Sequence, residues 1–255
     1  ARVATAPAAS VPGATHVHTD YCMEIANMTR LSDYDTSRTS EAMVKESHRI
    51  TSKDVPEVRS ILLSVAHPEF TYREGQNIGI TVPGAQAFGQ EQHFRLYTIA
   101  NSPRQAENGE VEIELCVRRC FYIDEVSGEE YPGLASNYLC DIRPGDQIAF
   151  TGPYGDAFVI PEDPETNLLM IGTGTGIAPF RGFAQQVAKK HPDWQGQVRL
   201  FFGARSGMAS LYTNEPGSDM VHYYDKDTFE AFNALALRPL SDERDALQES
   251  LSAHI

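Results

Sequence analysis

The sequence predicts two lobes, an antiparallel β-barrel followed by an incomplete α/β lobe on a parallel sheet. Three observations carry that expectation. From about residue 42 to 155, short apolar or alternating runs are separated by turn-forming pairs such as Pro83-Gly84, Asn108-Gly109, Pro144-Gly145 and Gly152-Pro153. Strands at that spacing build a barrel or sandwich. After Pro164 the order becomes strand, helix, strand, the order of a parallel α/β sheet. Few strand segments then remain before Ile255, so this second sheet is expected to be thin.

Residues 1–40 are poor in large aliphatics and rich in Ala, Thr, Ser and Asp, which predicts a flexible tail without its own core. Within it, His16, His18, Asp20 and Cys22 alternate but read as exposed polar residues, so no metal site is expected. The barrel, residues 41–162, takes strands from Val58–Val65, Ile78–Val82, His93–Ile99, Val111–Arg119 and Gln147–Thr151. One helix interrupts them, with Ser136 or Asn137 as N-cap and Tyr138-Leu139 opening its apolar side. The second lobe, residues 163–255, begins with the apolar run Asn167–Gly172, expected to be buried on both faces. A helix over Gly176–Lys190 has Pro179 in its first turn and Lys189-Lys190 at its end, both suited to those positions. Val198–Phe202 and Phe232–Leu237 supply two more strands, and Asp242–Ile255 reads as an amphipathic helix with Leu247 and Leu251 on one side.

The 255 residues are 41% hydrophobic, enough for a packed core, and carry a net charge of −14. That charge argues against nonspecific nucleic-acid binding, which rests on Lys and Arg neutralising phosphates. No run reaches the roughly 18–20 apolar residues of a transmembrane helix. Cys116 and Cys120 are expected on one face of one strand, and with Cys22 and Cys140 they form no disulfide framework. A reducing, cytoplasmic compartment follows, with an organelle or a membrane-associated complex as the other setting.

Two phrases carry chemistry. In Arg95-Leu96-Tyr97-Thr98, a guanidinium suits a diphosphate, an aromatic ring suits a flat heterocycle, and a hydroxyl suits its polar edge. In Gly172-Thr173-Gly174-Thr175-Gly176-Ile177-Ala178-Pro179-Phe180-Arg181, a Gly/Thr turn between strand and helix admits a dinucleotide phosphate close to the backbone. Together with Gly133-Leu134-Ala135-Ser136-Asn137-Tyr138-Leu139-Cys140-Asp141 between them, they resemble the ferredoxin–NADP reductase family, in its order, over about residues 40–240.

The resemblance implies FAD on the barrel and NADP on the second lobe. It assigns Arg95 to the FAD phosphates, Tyr97 to one face of the flavin, and Leu96 and Thr98 to its surroundings. Cys116, Val117 and Arg118 match the family's next FAD strand, and Tyr122 its adenine-stacking aromatic. Gly133, Leu134, Ala135 and Ser136 match the pyrophosphate-binding helix start, although many members carry Cys where Ala135 stands. Gly174, Thr175 and Gly176 would receive the dinucleotide, with Thr175 nearest the flavin; Ala204 and Arg205 would contact it further out, and Arg238 would read the 2′-phosphate. Tyr97, Thr98 and Thr175 form the implied catalytic set. The implied activity is electron transfer between NADPH and a one-electron carrier, ferredoxin or flavodoxin, by hydride transfer at flavin N5. The alternative is a non-catalytic FAD-binding relay or assembly subunit of a larger redox complex. Against the acidic net charge, Arg95, Arg118, Arg119, Arg181 and Arg205 are expected to form a basic patch for an acidic carrier.

Overall fold

Alternating apolar residues turn the first half of the chain into strands that share one interior. In the computed structural model, which describes residues 31–67, 69–84, 91–124, 126–156, 158–205, 229–236 and 250–254, these are β1 (Thr39–Arg49), β2 (Val58–Val65), β3 (Asn77–Pro83), β4 (Gln92–Thr98), β5 (Arg104–Gln105), β6 (Val111–Arg118) and β9 (Gln147–Tyr154). They form an antiparallel sheet in the order β4-β3-β9-β1-β2-β6-β5. An antiparallel bridge between Ile99 and Leu115 joins the end of β4 to β6 and closes the sheet into a barrel. The Ala100 N–H extends that seam by donating to Glu114 O at 2.8 Å. Closure removes the free edges that an open sheet would expose. Ile61, Leu63, Ile78, Ile80, Ile113, Leu115, Ile148 and Phe150 fill the interior. The helix α1 (Leu134–Asp141) turns Ala135, Leu139 and Cys140 onto this core, and β7 (Phe121–Ile123) pairs with β8 (Glu130–Pro132) as a separate hairpin.

The second lobe is a parallel sheet of β10 (Leu168–Thr173), β11 (Val198–Arg205) and β12 (Phe229–Ala236), in that spatial order. A 3-10 turn over Gly174–Ile177 leads from β10 into helix α2 (Ala178–Lys190). Phe183, Ala184 and Val187 of α2 pack against Leu168, Met170, Leu200 and Phe202, and this core continues into Val58, Ala100 and Cys116 of the barrel.

Several expectations are corrected. The strand β1 begins at Thr39, inside the stretch read as a tail, and pairs with β9 from its first residue. Tyr34 and Asp35 also belong with the barrel: the Tyr34 ring lies 4.9 Å from that of Tyr154, whose hydroxyl donates to Asp35 O at 2.6 Å. Residues 1–33 and 34–255 are two separate compact units, and the first shows a 3-10 turn over Leu31–Asp33. The helix α1 starts at Leu134 with Gly133 as N-cap, not at Ser136 or Asn137. The Ser136 hydroxyl instead accepts from the Cys120 N–H at 3.2 Å and donates to Gly133 O at 3.1 Å.

Cys120 lies beyond the end of β6, exposed, while Cys116 and Cys140 are buried. The strand β10 is not buried on both faces: Leu169 is 52% and Ile171 41% exposed, because α2 covers only one side of it. Residues 250–254 are helical, whereas the rest of the 242–255 stretch, the His16–Cys22 cluster and Arg238 lie outside the described residues.

Candidate functional site

Side chains two apart on a strand share a face, so β4 directs His93, Arg95 and Tyr97 the same way. They line a cavity of about 1030 Å³ between the barrel and the start of α2. Every residue expected to hold a flavin lies on its wall: Arg95, Leu96, Tyr97 and Thr98 from β4; Cys116, Val117 and Arg118 from β6; Tyr122 from the hairpin; and Gly133, Leu134, Ala135 and Ser136 at the start of α1. Thr175 and Gly176 close the far side. The structure thus brings together segments separated by up to about 80 residues of sequence.

Tyr97 packs against the barrel core beside Leu134. Burial, offset slightly by Arg95, pushes its phenol above the ordinary tyrosine range, so the ring is neutral at physiological pH. The Thr98 hydroxyl donates to Asn77 Oδ1 at 2.7 Å, which fixes its rotamer and leaves its lone pairs to accept. Burial, reinforced by Arg95, lowers the pKa of His93. The Arg95 Nη1 donates to its neighbour Phe94 O at 2.8 Å. No side chain caps α1, so the first N–H groups of that helix stay available to an anion at the cavity wall.

Two observations test whether a dinucleotide-sized anion fits. Arg118 lines the cavity, and its buried Nε has no acceptor among the described residues, a donor that a phosphate oxygen would satisfy. At Gly176 an added Cβ would meet nothing within 4 Å, so the backbone there faces open cavity and a ligand can approach it closely. The residues therefore fit FAD on the barrel side and a second nucleotide at the turn.

The remaining expected residues are placed differently. Gly174 is buried behind the turn with φ +51° rather than on the cavity wall. Ala204 and Arg205 lie at the carboxyl end of β11, one and two positions past the register that pairs Gly203 with Thr173 of β10, the sheet end at which α/β folds bind ligands.

Of the arginines expected to form a basic patch, Arg95 and Arg118 line the cavity, whereas Arg119 and Arg181 are engaged by carboxylates. Arg119 pairs with Glu57 and Asp141, each at 2.7 Å, and the Asp141 bond, with Glu57 adding to it, raises its pKa. Arg181 is buried against Glu114. The charge of both is spent inside the fold.

Sequence reasoning missed His93, Cys120, Asp124, Tyr131, Pro132 and Ala178 on the cavity wall. The alternation through Arg95 and Tyr97 carries a signal for His93. Tyr131 arrives only through the register of the hairpin, which sets it opposite Tyr122 with ring centroids 5.4 Å apart.

Comparison with known proteins agrees with this geometry. Residues 42–158 match the family described as oxidoreductase FAD-binding domain, and residues 170–246 match the oxidoreductase NAD-binding domain. The ferredoxin–NADP reductase of Thermosynechococcus vestitus is 39% identical over 171 residues, 66% of this chain and 44% of that protein. The chloroplastic ferredoxin–NADP reductase of Spinacia oleracea is 37% identical over 170 residues, 66% of this chain and 46% of that protein. The chain thus spans about half the length of these relatives. Among solved structures, ferredoxin-NADP+ reductase from Plasmodium falciparum superposes with a TM-score of 0.66 at 20% identity, covering 86% of this chain and 79% of that one, which shows the shared fold. A cytochrome P450 reductase from Amycolatopsis superposes at 0.56 with 30% identity, covering 78% and 52%. Both domain types are thus matched in sequence order, their motifs converge on one cavity, and the chain is similar to ferredoxin–NADP reductases in sequence and in fold.

Proposed function

We propose that the protein is an FAD-dependent oxidoreductase that passes electrons between NADPH and a one-electron carrier, ferredoxin in the first instance and flavodoxin in the second. The observation that carries this reading is the single cavity that joins Tyr97 and Thr98 on one wall to Thr175 and Gly176 on the other. In it, residues 41–162 serve as the FAD-binding domain and 163–255 as the NADP-binding domain. Bound FAD supplies hydride exchange at N5 and the switch from two-electron to one-electron transfer.

The chain's own residues bind and orient. Tyr97 offers a neutral aromatic face backed by core, which holds a planar ring at little entropic cost. Arg95 and Arg118, with the uncapped start of α1 at Gly133–Ser136, supply donors for a diphosphate. Tyr122, already stacked on Tyr131, presents a rigid aromatic platform for adenine. The Thr98 hydroxyl, whose proton is committed to Asn77, keeps lone pairs that can accept from the N–H of a ring nitrogen. Thr175 and the open backbone at Gly176 receive the nicotinamide end of the second nucleotide. Ala204 and Arg205, and Arg238 beyond the described residues, are assigned to its outer phosphates.

The free thiols of Cys120 and Cys140 fit a reducing compartment, the cytoplasm or an organelle interior. No described helix is long and apolar enough to cross a membrane.

The test is spectroscopic and then kinetic. The purified chain incubated with FAD should retain a flavin absorption spectrum after gel filtration, and NADPH should bleach it faster than NADH does. Turnover with an artificial acceptor and then with ferredoxin completes the assignment. A chain that stays colourless after incubation with FAD defeats it.

A further inference from the structure

Where α2 meets the barrel, polar side chains stand among the apolar contacts that join the two cores. Arg181 Nη1 donates to Glu114 Oε2 at 2.7 Å, with both side chains only 10% exposed. The other carboxylate oxygen, Oε1, accepts from Ser60 Oγ at 2.6 Å, so both oxygens are satisfied. The Glu114 N–H donates to Asn101 Oδ1 at 2.7 Å, and Asn101 Nδ2 donates to Ser102 O and Glu112 O, each at 3.1 Å. The Ser102 N–H donates to Gln185 Oε1 of α2 at 3.0 Å. Between these bonds the two backbones touch: a Cβ at Gly182 would lie 2.9 Å from the carbonyl carbon and oxygen of Asn101.

We propose that the Arg181–Glu114 ion pair is a positioning device that fixes the Gly174–Ile177 turn over the barrel cavity. The proposal rests on the reading that this turn presents a nucleotide to a flavin on Tyr97. The geometry connects both ends. Glu114 lies on β6 two residues before Cys116, which lines the cavity, and Arg181 lies on α2 three residues after Ala178, which lines it from the other side. A shift of α2 along the barrel therefore moves Thr175 relative to Tyr97.

Apolar contacts such as those of Ile177, Ala178 and Phe183 are non-directional and tolerate sliding. A charge-assisted hydrogen bond does not, because its strength falls steeply with distance and angle. Stability alone is a poor reason for the pair, since well-packed apolar residues commonly replace buried ion pairs without loss. Registry is the role left to it.

The test is hydrogen–deuterium exchange on the full chain without FAD, comparing wild type, Glu114→Gln, Arg181→Lys and the double variant Glu114→Leu/Arg181→Met. The double variant guards against simple unfolding. The expected result is exchange over residues 173–182 raised about tenfold in Glu114→Gln and in the double variant, with β2 and β3 as protected as in wild type. Arg181→Lys, which keeps the charge, should fall between. In the FAD-loaded protein the double variant should retain FAD affinity and lower kcat with NADPH by about tenfold, the size of effect expected when a reacting group is misplaced.

Wild-type protection of the turn in the double variant overturns the proposal. So does loss of protection spread evenly over the barrel, which would make the pair a stabiliser only. Failure of the wild-type chain to bind FAD would instead overturn the functional reading, and it leaves the exchange result to be judged separately.

Discussion

Tyr97 does two jobs with one ring: its inner face packs on the barrel core beside Leu134, and it lines the cavity. Tyr97→Ala should therefore weaken FAD binding by about 1–3 kcal/mol, the usual worth of an aromatic stacked on a heterocycle, as measured by flavin fluorescence titration. Cys120 is exposed on the same wall, while Cys116 and Cys140 are buried. Alkylation of the native chain should modify Cys120 ahead of those two, and FAD should protect it; modification at an unchanged rate with FAD present contradicts the placement.

Cys140 adds a pH signature. Burial, opposed in part by Arg119, pushes its thiol from 9.0 up to about 11. The unfolded chain then loses that proton first, so the contribution to stability is intact below pH 9 and is lost as pH rises towards about 11. Urea midpoints across that range should decline less steeply in Cys140→Ala than in wild type. At this scale the sequence was most readable where chemistry constrains residue type, as at Arg95, Tyr97 and Thr98. It was least readable where a side chain reaches the site through pairing, as Tyr131 does, because no local pattern encodes that register.

Among the elements, α2 is held in place by a close backbone approach. Gly182 faces the Asn101 backbone at a distance no Cβ tolerates, so Gly182→Ala should cost about 1–3 kcal/mol and lower the melting temperature. Gly176, six residues earlier, faces empty cavity. Gly176→Ala should leave the melting temperature near wild type and yet weaken nucleotide binding, because the new methyl occupies ligand space. The pair of variants separates a packing glycine from a binding one by calorimetry and titration.

Strand interiors were legible with little error: Val58–Val65 is β2 as read, and the alternation from His93 to Ile99 takes in all of β4 but Gln92, together with the closing bridge. Boundaries failed for identifiable reasons. Ser136 looks like a helix cap, but its hydroxyl is engaged by the Cys120 N–H and Gly133 O. The apolar run of β10 looked doubly buried, but only one face meets α2. Thr39 and Ser40 carry no apolar signal, and only the pairing of β1 with β9 makes them strand.

For the whole molecule, every described residue on the cavity wall falls between His93 and Ala178, inside the unit Tyr34–Ile255. Two-lobe architecture was readable from the change of pattern after Pro164. The electrostatic layout was not. Arginine positions are visible in a sequence, but the partners that neutralise Arg119 and Arg181 are brought in from β6, α1 and the segment before β2 by the fold itself.

The bridge between Ile99 and Leu115 has a consequence for how the protein assembles. Ala100 and Asn101, which follow directly on that stitch, are also the socket into which α2 seats. The socket exists only where the ring is closed, so a lesion in the stitch should leave α2 adrift even with its own sequence intact.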